Sequence, residues 1–234
     1  MYTSIMPGTD AVTIDSDVNS SFDVGKYVKS GKVNLTININ GGVSIQNSDA
    51  ANKRRASIYS SVTIDPVGSK ITIRNNGVIQ GANGEGGDGD SDTSSSEPGS
   101  RGNTAIKLNC DVVVFNTGSI QGGGGGGGGG LDPTGNAGGG AGWPAGVSGA
   151  NYTPPLEGAY GYLIGGFDPG NPGREKGGDC NGAGQEGGYG TNDLSFPIQP
   201  GGPVGYSIDA GTNNVEVTNG PGAVFEGDII GVVV

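Results

Sequence analysis

Short runs of alternating apolar and polar residues recur along this chain, and each run closes in the same way. Residues 71–81 read ITIRNNGVIQG and residues 112–122 read VVVFNTGSIQG. Both hold an alternating strand, an Asn, a turn ending at Gly77 or Gly118, and a short strand closing on Ile-Gln-Gly. A looser copy is VEVTNGPGAVFEG at 215–227, and LTININGGVSIQN at 35–47 is a more distant relative. Ala56-Ser57-Ile58, Thr104-Ala105-Ile106 and Tyr206-Ser207-Ile208 each precede an alternating strand by a few residues. Period-two alternation of β-branched residues with Asn-Gly corners predicts short strands joined by tight turns. Such units bury an apolar face only by stacking, so the expected fold is all-β, a short parallel β-solenoid or a related β-sandwich.

Between copies the chain makes two excursions, over about 82–103 and about 123–205. Both leave just after Ile-Gln-Gly and return just before a Ser/Ala-Ile strand, so stacking in register brings them out of one corner of neighbouring rungs. The expected organisation is an N-terminal β segment at 1–55, a repeated base at 56–122 and 206–234, and an inserted lobe at 123–205.

Composition sharpens the picture of the lobe. The chain has 52 glycines but only five Phe, eight Tyr and one Trp, too few large apolar side chains for an ordinary core of this size. Nine consecutive glycines run from Gly122 to Gly130, and Gly81, Gly84 and Gly87 are spaced by three. A period of three is that of the polyglycine or polyproline II helix, which makes no internal hydrogen bonds and must find partners outside itself. Fixing nine glycines costs roughly 5–9 kcal/mol more than fixing nine alanines, a choice that close backbone packing would explain. The expectation is a lobe of packed polyglycine II helices, set against the alternative of a mobile glycine linker.

Loops between rigid extended segments are natural recognition elements. The candidates are 131–136, 143–164, 167–176 and 191–200. Trp143, Tyr152, Tyr160, Tyr162, Phe167, Arg174 and Phe196 are the candidate contact residues, since aromatics and Arg dominate binding hot spots. Tyr160 and Tyr162, beside Leu163 and Ile164, could equally stack on glycine backbone as the lobe's own small core.

The charge balance and the missing residue types exclude several function classes. A net charge of −11 opposes nucleic-acid binding, and the basic run Lys53-Arg54-Arg55 reads as a solvated turn. The chain has no His, which removes the usual general base and metal ligand, and its carboxylates do not recur at matching rung positions. No enzymatic activity, metal or cofactor is expected. Asp88, Asp90 and Asp92 mimic the opening of a calcium loop, but Thr93 and Gly99 stand where that loop needs Gly and Glu. Cys110 and Cys180 are read as free thiols, with one bridge between base and lobe as the alternative. No export signal and no apolar run of membrane-spanning length is visible.

The V-x-V-x-N-x-G-x-I-Q-G pattern running straight into polyglycine resembles the distal receptor-binding proteins of tailed bacteriophages. It is similar to the glycine-rich tip adhesins of T-even-type phages and to glycine-rich segments of siphovirus central tail fibres. The resemblance covers 104–234 well, 56–103 less well and 1–55 hardly at all. It implies a sandwich of polyglycine II helices with Gly122–Gly130, Gly138–Gly140, Gly177–Gly178 and Gly187–Gly188 as scaffold. It also implies recognition, by the loops between them, of an outer-membrane protein or surface saccharide of the host. The N-terminal part lacks the Trp-rich attachment region of the T-even adhesins, so attachment of residues 1–55 to a tail or fibre protein is expected from position alone. The expected location is the virion, after assembly in the host cytoplasm, as a monomer on a trimeric fibre or as a homotrimer. Two other readings are an ice-binding protein and a structural particle protein without a receptor; Thr13, Thr36, Thr63 and Thr72 lack the single rung position that an ice-binding face needs.

Overall fold

The computed structural model describes residues 11–28, 32–47, 55–87, 97–128 and 200–234. The chain divides into two compact units. One comprises Met1–Gly81, Thr104–Gln121 and Tyr206–Val234, and the other Ala82–Asn103 and Gly122–Gly205.

The first unit is built of β-strands. In chain order they are β1 (Ala11–Ile14), β2 (Phe22–Asp23), β3 (Asn34–Ile39), β4 (Ser44–Gln46), β5 (Ile58–Tyr59), β6 (Lys70–Asn75), β7 (Val78–Gln80), β8 (Ile106–Lys107), β9 (Asp111–Asn116), β10 (Ser119–Gln121), β11 (Ile208–Asn219), β12 (Val224–Glu226) and β13 (Ile229–Val233). A 3-10 turn, Val24–Lys26, follows β2 and is capped by the Asp23 side chain accepting from Gly25 N–H.

Every strand pair among the described residues is parallel, and the registers sort the strands into ladders. One ladder runs β1, β3, β6, β9 and the second half of β11; another runs β4, β7, β10 and β12. A further one runs β2, β5, β8 and the start of β11, with β13 next. The chain therefore visits one strand of each ladder per turn, which decides for the solenoid over the sandwich. β11 covers two sides in one pass, bending at Gly211, whose φ of 63° is a left-handed value that few other residues adopt without strain.

Parallel register converts the sequence repeat into columns of like residues. Val12, Ile37, Ile73, Val114 and Val217 form one column, and Leu35, Ile71, Val112 and Val215 another. Ile45, Ile79, Ile120 and Phe225 line the second ladder, and Phe22, Ile58, Ile106, Ile208 and Ile229 the third. Alternation sends every second side chain inward, and most of these are fully buried. Each buried Ile or Val contributes about 1.5–3 kcal/mol relative to exposure. The stack is thus held by aliphatic columns rather than by large aromatic side chains.

Candidate functional site

Two corners of each rung organise the rest of the chain. At the first, β6 and β9 end in an Asn followed by a Gly two residues on. The Oδ1 atoms of Asn75 and Asn116 accept from Gly77 N–H at 3.1 Å and Gly118 N–H at 3.2 Å, which closes each turn. The same asparagines form a ladder, buried at Asn75 and Asn116 and open to solvent at its end: Asn75 Nδ2 donates to Asn116 Oδ1 at 2.9 Å, and Asn116 Nδ2 to the exposed Asn219 Oδ1 at 3.1 Å. Successive corners lie so close that a Cβ on Gly118 would run into the Gly77 carbonyl, and one on Gly77 into that of Val43. Glycine is required here by proximity of backbone, not by the turn angle.

At the second corner the chain leaves the stack and comes back. After β7 and β10 the two exits are tied together by Gly81 N–H donating to Gln121 O at 3.0 Å. The returns are tied by Ala105 N–H donating to Tyr206 O at 2.9 Å. Ser57 Oγ holds the Gln80 carbonyl, and Ser207 Oγ donates to Gly227 O at 3.0 Å. The serine of the Ser-Ile pairs is therefore a corner fastener.

In the second unit, residues 82–87, 97–103, 122–128 and 200–205 are four segments without regular strand pairing that bond to one another at every third residue. Gly84 and Gly87 donate to Gly124 and Gly127, both at 2.8 Å, in parallel register. Gly99 and Gly102 donate to Pro200 and Pro203 at 2.9 and 3.0 Å, also in parallel. Three antiparallel sets complete the network: Ser100 and Asn103 donate to Glu85 and Ala82, Gly123 and Gly126 to Asn103 and Ser100, and Gly202 and Gly205 to Gly126 and Gly123. Two segments, 97–103 and 122–128, are each bonded to the other three. Asn83 Oδ1 adds a buried bond from Gly124 N–H at 2.9 Å.

The glycines are needed where the segments cross. A Cβ on Gly123 would collide with the Ala82 carbonyl, on Gly126 with that of Glu85, on Gly99 with that of Gly126, and on Gly202 with that of Ser100. Pro200 and Pro203 act as acceptors in this network; their fixed φ near −65° suits an extended segment close to polyproline II geometry.

The spacing of Gly81, Gly84 and Gly87 read from the sequence is the spacing of their hydrogen bonds. The sequence reading missed Gly99, Gly102, Gly202 and Gly205, which share that period; the signal was the three-residue step from Gly99 to Gly102 and from Gly202 to Gly205. Trp143, Tyr152, Tyr160, Tyr162, Phe167, Arg174 and Phe196 lie outside the described residues, as do Cys180, Asp88, Asp90 and Asp92.

Cys110, the residue before β9, carries a free thiol and is fully buried. Burial, reinforced by the charge of Asp111, pushes this thiol up to about 11, against a weaker opposing bond from the Ile71 backbone. Because the thiolate is the reactive form, Cys110 is expected to resist alkylation in the folded protein at pH 8 and to react within minutes in denaturant. A Cys180→Ser chain treated with iodoacetamide and weighed by mass spectrometry checks this, and rapid native labelling would contradict it.

Comparison with known proteins places this architecture. The family model for the phage tail fibre adhesin Gp38 matches residues 9–234. No curated protein matches. Among solved structures, the crystal structure of the gp37-gp38 adhesin tip complex of the bacteriophage S16 long tail fiber shares the fold, with a TM-score of 0.56 and 19% identity. The match covers 96% of this chain and 82% of that one. The family match takes in both the strand repeat and the glycine-rich excursions, and this chain accordingly belongs to the phage tail fibre adhesin Gp38 family.

Proposed function

We propose that this chain is the receptor-binding tip of a tail fibre and that it works by binding rather than by catalysis. The loops at 131–136, 143–164, 167–176 and 191–200 contact an outer-membrane protein or surface saccharide of a bacterial host. Trp143, Tyr152, Tyr160, Tyr162, Phe167, Arg174 and Phe196 supply the anchors. The observation that carries this reading is the three-residue hydrogen-bond period among 82–87, 97–103, 122–128 and 200–205. That network gives the proposed contact loops a hydrogen-bonded support at both ends of the long excursion, at 122–128 and 200–205.

The solenoid base takes the fibre side. The S16 relative is a complex with gp37, which supports a tail fibre protein as partner. Residues 11–46 contribute strands to the base, and at its other end the β12–β13 rung exposes Val224, Val232 and Val233, an apolar strand edge of the kind that a partner covers. The protein then travels as a virion component assembled in the host cytoplasm.

Removing 143–164 tests the recognition reading. Adsorption to host cells is expected to vanish while the melting of the base stays unchanged. Full adsorption by the shortened chain would instead leave a structural particle protein without a receptor contact in that loop. Binding to cells lacking surface polysaccharide, compared with cells lacking single outer-membrane proteins, then names the receptor class.

A further inference from the structure

We propose that the base carries a pocket of its own for an anionic sugar unit, built by β5, the segment after it and the end of β8. The cavity measures about 510 Å³ and is lined by Arg55, Tyr59, Ser60, Thr63, Lys107 and Asn109, among others. That volume falls within the range of small-ligand sites and is far larger than a bare phosphate fills.

Two cations share this cavity in a chain of net charge −11. Arg55 is the last residue of the basic run that the sequence offered as a solvated turn. Its guanidinium lies 4.6 Å from the centre of the Tyr59 ring, and its Nη1 donates to the Tyr59 hydroxyl at 3.1 Å. Stacking fixes the plane of the fork, and the Tyr59 bond uses one of its five donors. An oriented fork suits a carboxylate or phosphate. Lys107 bridges Asp209 at 2.9 Å, yet its side chain is 65% exposed, so the ammonium remains within reach of a ligand.

The acidic groups beside the cavity are both engaged. Asp209 is held by Lys107. Asp23 accepts from Ser61 N–H and Gly25 N–H, each at 2.9 Å. Burial raises the Asp23 carboxyl, but bonds from Ser61 and Gly25 and the charge of Lys26 outweigh it and hold the group below its ordinary value. Counting Arg55, Lys107, Asp23 and Asp209, the local charge is balanced, and the stacked fork makes the selective contact. The exposed Thr63 hydroxyl and the Nδ2 group of Asn109 offer neutral bonds of the kind sugar hydroxyls need, whereas Ser60 Oγ is held by the Val62 backbone and Asn109 Oδ1 by Asn213, and buried Ile64 closes the apolar side.

Carboxylated and phosphorylated sugars share this chemistry, and a titration separates them. Glucuronic acid, mannose phosphate, glucose and inorganic phosphate are added to the whole chain while amide shifts of Tyr59 and Asn109 are followed by NMR. One or both acidic sugars are expected to saturate the shifts, with glucose and phosphate each roughly tenfold weaker or more. Arg55→Ala is expected to lose about tenfold in affinity for the acidic sugar, the loss of a charge-assisted contact, with Arg55→Lys recovering only part of it. An unchanged spectrum away from the pocket shows that each variant folds. Equal binding of glucose, equal affinity in Arg55→Ala, or no shift with any sugar overturns the proposal. The 143–164 deletion leaves this titration untouched, so the pocket stands or falls apart from the loops.

Discussion

Gly123→Ala is expected to break the glycine-packed unit at a cost of about 3 kcal/mol or more, at the upper end for overpacking. Gly123 bonds to two other segments, donating to Asn103 at 2.9 Å and accepting from Gly205 at 2.8 Å. Its missing Cβ leaves the space that the Ala82 carbonyl of a third segment occupies. The obstacle is backbone on every side, so no rotamer change relieves it, and the segments must part with loss of their mutual bonds. Gly41→Ala is the matching control: its new methyl would meet only the Asn76 carbonyl, at 3.8 Å, an ordinary contact. Hydrogen exchange reads the result through the amides of Gly84, Gly126, Gly202 and Gly205, which should lose protection in Gly123→Ala alone. Protection surviving that substitution would mean that close backbone packing is not what orders the unit, and the rigid support for the loops would go with it.

Asn116→Leu is expected to destabilise the base by about 3 kcal/mol, although leucine would suit an aliphatic column. Asn116 is 1% exposed and sits between Asn75 and Asn219 in successive rungs. Its Nδ2 also donates to the Val224 carbonyl at 3.1 Å, and its Oδ1 also closes the turn at Gly118. Leucine leaves one N–H of the fully buried Asn75 amide unanswered, an orphan that costs about 1–3 kcal/mol, and takes the side-chain bonds from the Gly118 turn and the Val224 carbonyl as well, while the exposed Asn219 turns to water. The denaturant midpoint should fall with the slope unchanged. A shift no larger than that of an exposed substitution such as Thr13→Ala would show the ladder to be ornamental. One rung before Asn75 the same column holds Ile39 in place of Asn, so the ladder begins where the glycine excursions begin.

Much of the base could be read in the chain because its information is local and repeated. The match of ITIRNNGVIQG to VVVFNTGSIQG predicted β6–β7 and β9–β10, and the looser copies at 35–47 and 215–227 correspond to β3–β4 and the β11–β12 region. Other features were hidden for physical reasons. Arg55 and Lys107 lie about fifty residues apart in sequence and meet only because the chain returns to the same side once per rung. The corner role of Ser57 and Ser207 could not be seen either, since a hydroxyl immediately before a strand looks the same whether it faces water or a carbonyl.

The order of residues by itself determined that strands of period two would alternate with glycine of period three, because both periods are properties of single residues. It also determined that catalysis by histidine is impossible. Tertiary structure alone decided which glycines are indispensable. In a chain with 52 of them, the need for a missing side chain arises only where a second backbone passes within hydrogen-bonding reach, and that partner comes from a distant stretch of sequence.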